Sequence, residues 1–153
     1  MNLNANIEDY LKAHEEIGNF MGSVLVVCRD EVLFEGSYGM AELEHNIPNT
    51  PQTKFRLGSI TKQFTAAAIL QLQEQGRLNV NAPVSAYLPN YPNGDRITIH
   101  QLLNHTSGIP NFTSFPDYEQ MKRRSTSLDE LIAWFKDKPL DFTPGDGFSY
   151  SNS

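Results

Sequence analysis

Ser59-Ile60-Thr61-Lys62 places a hydroxyl and an amine three residues apart, at the head of a segment whose apolar residues Phe64, Ala67, Ala68 and Leu72 recur at helical spacing. Residues three apart share a helical face, so the Lys62 amine can reach the Ser59 hydroxyl. Serine is a poor nucleophile until a neighbour takes its proton, and a lysine does so where its charged form is disfavoured. A helix start adds unpaired N–H groups and the positive end of the dipole, both favourable to a developing oxyanion. The same four residues also read as a helix-capping serine followed by a surface lysine, which is the commoner meaning of a bare Ser-x-x-Lys.

Tyr150-Ser151-Asn152 is the second candidate, just after the Pro144-Gly145 turn. In extended backbone residues i and i+2 point the same way, so phenol and carboxamide would face one site. The phenol can relay a proton between a serine oxygen and a leaving group, with a nearby lysine lowering its pKa. Asn152 can donate to a substrate carbonyl and accept from the lysine. Read alone, the tripeptide is more commonly a polar loop with one half-buried tyrosine.

The remaining reactive side chains point elsewhere. Cys28 ends the apolar run Val24-Leu25-Val26-Val27 and reads as a small buried hydrophobe; as the only cysteine it cannot form an internal disulfide. His100 and His105 lie five apart and do not share a helical face, which argues against a metal pair. His14 and His45 read as lacking acidic or cysteine neighbours at ligand spacing. Lys122-Arg123-Arg124 is the only basic cluster, and 12 Lys plus Arg against 18 Asp plus Glu, a net charge of −6, leaves no footprint for nucleic acid.

These groups need a scaffold. With 153 residues, 39% of them apolar, the chain suits one compact unit, and ten Gly with nine Pro are too few for a disordered or fibrous protein. Ile7, Tyr10, Leu11, His14 and Ile17 predict an amphipathic helix ending at Gly18. Ser23 to Cys28 and Val32 to Tyr38 predict a hairpin turning at Arg29-Asp30-Glu31, with the first strand, apolar without alternation, covered on both faces. Residues 40 to 56 read as a surface connection. A helix from Ser59 to Gln75 stops at Gly76, and Thr98-x-x-Gln101 and Ser127-x-x-Glu130 are capping boxes opening two further helices. Strands followed by helices predict an α+β fold whose sheet has only begun. Met1-Asn2-Leu3-Asn4 shows no leader and no apolar run can span a bilayer, so the location stays open between cytoplasm and a processed export product.

Phe55-Arg56-Leu57-Gly58-Ser59-Ile60-Thr61-Lys62-Gln63-Phe64-Thr65-Ala66, then Leu102-Leu103-Asn104-His105-Thr106-Ser107-Gly108-Ile109-Pro110, then Pro144-Gly145 ahead of Tyr150-Ser151-Asn152, resemble the penicillin-recognising serine hydrolases. The branch is that of class C β-lactamases, D-alanyl-D-alanine carboxypeptidases and related esterases. The resemblance implies a β-lactamase/transpeptidase-like fold, with an antiparallel sheet flanked by helices plus a helical subdomain. It implies Ser59 as the nucleophile forming an acyl-enzyme, with its own N–H as half of the oxyanion hole. Lys62 would be the general base or the group that tunes it, Tyr150 the second proton carrier, and Asn152 a substrate-binding residue that also orients Lys62. His105 would be structural. No metal or organic cofactor is required, and the expected substrate is a small ester, β-lactam or D-amino-acid peptide. The family is largely extracytoplasmic.

Members carry a third motif, Lys-Thr-Gly or His-x-Gly, on a later strand that supplies the second oxyanion N–H, and none follows Asn152 here. The expectation is therefore the N-terminal portion, residues 1–153, of such a domain: helix and hairpin over 1–40, nucleophile helix and helical region over 55–153. Alone it should be inactive or nearly so. A truncated product, a proteolytic piece, an incomplete gene and one member of a pair with a complementing C-terminal chain all fit. Two other readings are a catalytically silent binding or regulatory relative, and a small α/β-hydrolase. The second lacks its Gly-x-Ser-x-Gly elbow, since Leu57-Gly58-Ser59-Ile60-Thr61 does not fit.

Overall fold

The computed structural model describes residues 3–153; Met1 and Asn2, where the reading of a leader begins, lie outside the described residues. The chain forms two compact units, Met1–Gly58 and Ser59–Ser153. Among the described residues no helix is long and apolar enough to cross a membrane.

In the first unit, helix α1 (Leu3–Glu16) is the predicted amphipathic helix, but Leu11 is its one buried residue. Gly18, at φ 71°, ends it by turning the chain left-handed. Strands β1 (Gly22–Cys28) and β2 (Glu31–Tyr38) form the predicted antiparallel hairpin, with Ser23 opposite Ser37 and a register shift at Val26/Val27. The expectation that β1 is covered on both faces fails: Leu25 is 61% and Val27 50% exposed. An uninterrupted apolar run states only that both faces tolerate burial. Among the described residues β1 pairs with β2 alone, and α1 lies against β2. Cys28 is likewise exposed rather than buried, because it closes the strand beside the Arg29-Asp30 turn.

The stretch read as a plain connection contains a second small ribbon, β3 (Met40–Glu42) with β4 (Ile47–Pro48). Directly after it lies the buried Asn49, whose carboxamide donates to the Tyr38 carbonyl at 2.8 Å. Polar residues organise this segment, so hydropathy periodicity does not reveal it.

In the second unit, helix α2 (Thr61–Glu74) follows a 3-10 turn over Gly58–Ile60 and stops at Gly76, at φ 68°, as expected. Its predicted apolar face is largely bare: none of its residues is buried, and Phe64 is 61% exposed. The core lies further along. Val84, Ile97, Ile109 and Phe135 are buried together, with Leu102, Phe112 and Leu131 packed against them. Both capping boxes are present, opening α3 (Ile99–Leu103) and α5 (Leu128–Phe135). Between them lie a 3-10 turn over Phe112–Ser114 and the short α4 (Tyr118–Met121).

After α3 the backbone of residues 105–108 becomes a template for the end of the chain. The Gly108, Thr106 and His105 carbonyls accept from the N–H groups of Asp141, Gly145 and Ser149 at 2.8, 2.9 and 3.0 Å. Gly108, at φ 75°, lies directly under the Phe142 carbonyl, where a Cβ would collide with backbone.

Two substitutions test which contacts carry this unit. Ile97→Ala, at a side chain with no exposed surface, should cost about 2–5 kcal/mol in urea unfolding. Gly108→Ala should cost about 2 kcal/mol or more, through backbone strain and the displaced Phe142 carbonyl. A wild-type unfolding midpoint for either would contradict this account.

Candidate active site

Ser59 is the middle residue of the 3-10 turn that precedes α2. The residue capping α2 is Ile60, and no side chain closes that end, so Ser59 is not spent as a helix cap. Its Oγ instead accepts from the Tyr150 hydroxyl at 2.7 Å and from Lys62 Nζ at 3.5 Å. Lys62 Nζ also donates to Asn152 Oδ1 at 2.8 Å and lies 4.9 Å from the centre of the Tyr150 ring. All four residues singled out in the sequence therefore meet within the second unit. Tyr150 and Asn152 project to the same helix start, as alternation in extended backbone requires.

Two neighbours set the position of the Tyr150 end. The His105 ring centre is 4.6 Å from that of Tyr150, and His105 Nδ1 accepts from the Ser151 N–H at 3.4 Å. His105 reaches this place by turning left-handed, at φ 62°, immediately past α3. Ser153 Oγ donates to the Pro110 carbonyl and accepts from the Phe112 N–H at 3.0 Å, which fixes the segment after Asn152.

Asn152 is committed differently from the expectation. Its Nδ2 donates to Asn111 Oδ1 at 3.1 Å and to Thr113 Oγ1 at 3.2 Å. Both amide hydrogens are thus engaged within the protein, and donation to a substrate carbonyl would require one bond to open. Asn111 and Thr113 were not among the sequence candidates. The available signal was Asn-x-Thr directly after the Ile109-Pro110 pair, a pattern in which the Asn side chain caps its own turn.

Tyr150 is 43% exposed, and its pKa is lowered from the usual phenol value, first by the Lys62 ammonium and then by the Ser59 hydroxyl. A cleft of about 190 Å³ beside Lys62 is lined by Thr65, Ala66, Leu102, His105 and Asn152. A larger open depression of about 510 Å³, bordered by Arg124, Glu130 and Trp134, contains none of the four groups.

The reading of His45 needs correction. In the first unit Glu42, Glu44 and His45 bring their ligand atoms within 4.8 Å of one another, and His45 Nδ1 hydrogen-bonds Glu42 Oε1 at 2.8 Å. The β3–β4 turn folds them together, and Glu42 and Glu44 already stand three residues and one residue ahead of His45 in the sequence. His105 and His100 stay apart: His100 Nδ1 faces Asn104 while His105 faces Ser151.

Comparison with known proteins places this geometry in a lineage. The sequence profile of the family described as Beta-lactamase matches residues 3–153. PbpX of Bacillus subtilis (strain 168) is 47% identical over 106 residues, which cover 69% of this chain and 26% of PbpX. A D-stereospecific amidohydrolase from Streptomyces sp. is 40% identical over 64% of this chain and 33% of its own, with a TM-score of 0.59. A class C β-lactamase superposes with a TM-score of 0.78 at 26% identity, over 95% of this chain and 39% of its own. The chain thus spans about a quarter of the length of the curated relative, and the α+β arrangement is part of the β-lactamase/transpeptidase fold. It belongs to the β-lactamase family, within the penicillin-recognising serine hydrolases.

Proposed function

We propose that Ser59 is the nucleophile of a serine hydrolase working through an acyl-enzyme, with Tyr150 as its proton partner, Lys62 as the cation that tunes Tyr150, and Asn152 as the group that holds Lys62. The observation that carries this reading is the 2.7 Å hydrogen bond between Tyr150 and Ser59, residues 91 apart in sequence, with Lys62 Nζ 3.5 Å from the same oxygen. A serine meant only to cap α2 would not be shared in this way.

The chemistry follows from the positions. With the phenol ionised, its oxygen takes the Ser59 proton as Oγ bonds to the substrate carbonyl carbon and the carbonyl electron pair moves onto oxygen. The oxyanion forms beside unpaired N–H groups at the start of α2. Collapse breaks the bond to the leaving amine or alkoxide, which takes the proton back from Tyr150. Water then adds to the acyl carbon by the same route, giving its proton to Tyr150, and Ser59 departs protonated. The intact set of four residues weighs against a silent binding relative.

Amides and esters, D-amino-acid derivatives among them, are the favoured substrates over β-lactams. Supporting this order, the Streptomyces D-stereospecific amidohydrolase is 40% identical and the class C β-lactamase 26%. Turnover by this chain alone is expected to be slow, because Ser59 and Tyr150 are exposed and water competes for every charge that develops.

A fluorophosphonate should label Ser59 stoichiometrically and Ser59→Ala should not react, while hydrolysis of an activated ester or a chromogenic cephalosporin should stay near background. Rapid, Ser59-dependent turnover would overturn the expectation of slow hydrolysis, and absence of labelling would overturn the nucleophile. Tyr150→Phe should slow labelling about 10²–10⁴-fold, as measured by time-resolved gel fluorescence. The labelling rate should rise with pH as the phenol ionises, with a midpoint below the ordinary value of about 10. Lys62→Met removes the cation that favours the phenolate, so its midpoint should move upward.

A further inference from the structure

We infer that Asn111 is a positioning residue of this site: its side-chain oxygen sets the polarity of the Asn152 carboxamide, so that Asn152 presents oxygen, and not nitrogen, to Lys62. The inference rests on the proposed function for its catalytic meaning, but its geometry stands on donors whose identity is certain.

Backbone N–H groups only donate. Two of them, from Asn152 at 3.1 Å and Thr113 at 3.3 Å, point at the same atom of Asn111, which must therefore be Oδ1. The Thr113 hydroxyl also donates to that atom at 2.9 Å, while Asn111 Nδ2 donates to Ser114 Oγ at 3.1 Å. With Asn111 fixed, the Asn152 atom 3.1 Å from its Oδ1 has to be the donor Nδ2. The Thr113 hydroxyl, its hydrogen already used, accepts the second Nδ2 hydrogen at 3.2 Å. Asn152 Oδ1 is then left facing Lys62 Nζ at 2.8 Å.

A flipped Asn152 would set oxygen against the Asn111 oxygen and an amino group against the Lys62 ammonium. Both contacts are repulsive, so one orientation survives. The order of polarity runs from two peptide N–H groups, through Asn111 and Asn152, to the ammonium placed beside Ser59 and over the Tyr150 ring. Asn111 touches none of the reacting atoms and acts only through Asn152.

The test uses Asn111→Leu, which removes the acceptor, Asn111→Asp, which keeps it, and Thr113→Val, which removes one partner of Asn152 Nδ2. Tyr150 is followed by NMR of the ¹³Cζ-labelled ring as pH is raised, Ser59 by its rate of fluorophosphonate labelling, and folding by circular dichroism. In Asn111→Leu the Lys62 ammonium is no longer held near the ring. The Tyr150 midpoint should rise by about half a pH unit or more, and labelling should slow about tenfold. Asn111→Asp should bring the midpoint and the labelling rate back toward wild type, which a purely structural loss would not allow. If Asn111→Leu fails to fold, Thr113→Val should shift both readouts the same way by a smaller amount. A folded Asn111→Leu, or failing that a folded Thr113→Val, with wild-type midpoint and rate overturns the inference. If wild-type chain is not labelled at all, the proposed nucleophile falls, while the Tyr150 midpoint still decides the role of Asn111.

Discussion

The Lys62 to Asn152 hydrogen bond, between residues 90 apart, is the contact that the rest of the second unit has to make possible. Closing a loop of that length costs about 4 kcal/mol in chain entropy beyond a constant, more than one hydrogen bond to a charged group returns. The contact therefore does not hold the unit together. It exists because other interactions bring its two ends into place, and those interactions account for most of the intervening sequence.

The hydrophobic cluster around Ile97 supplies much of that work, and residues 105–108 supply the precision. They run as a backbone template for residues 141–149, with Gly108 permitting contact too close for any side chain. His105 then carries its ring under Tyr150 at the cost of a left-handed backbone in a residue that has a Cβ. Strain in such a place persists only when its surroundings determine it, here through the bonds to Ser149 and Ser151.

Much of the site was legible because its residues are related by short-range rules. Ser59 and Lys62 share one helical turn, Tyr150 and Asn152 share one side of an extended segment, and Thr98 and Ser127 cap their helices three residues ahead of Gln101 and Glu130. The meeting of the two pairs is not local: the chemistry of the side chains suggested it, and the family resemblance made it an expectation. What escaped the sequence is set by three-dimensional neighbours. Leu25, Val27 and Cys28 have the composition of a covered strand, yet their exposure depends on what lies over β1. Asn111 and Thr113 resemble ordinary turn residues until Asn152 arrives beside them. Glu42 and His45, only three residues apart, are by contrast a local pair that the ribbon turn draws to 2.8 Å.

The bare apolar face of α2 has a colloidal consequence. Ile60, Phe64 and Leu70 are each close to half exposed or more, as are Leu25 and Val27 in the other unit. Against such surfaces, the net charge of −6 is the main force keeping separate molecules apart in solution. That repulsion vanishes near the isoelectric point, at a pH of about 5.1. The chain is thus most prone to self-association in mildly acidic solution and at high ionic strength, where the same charges are screened.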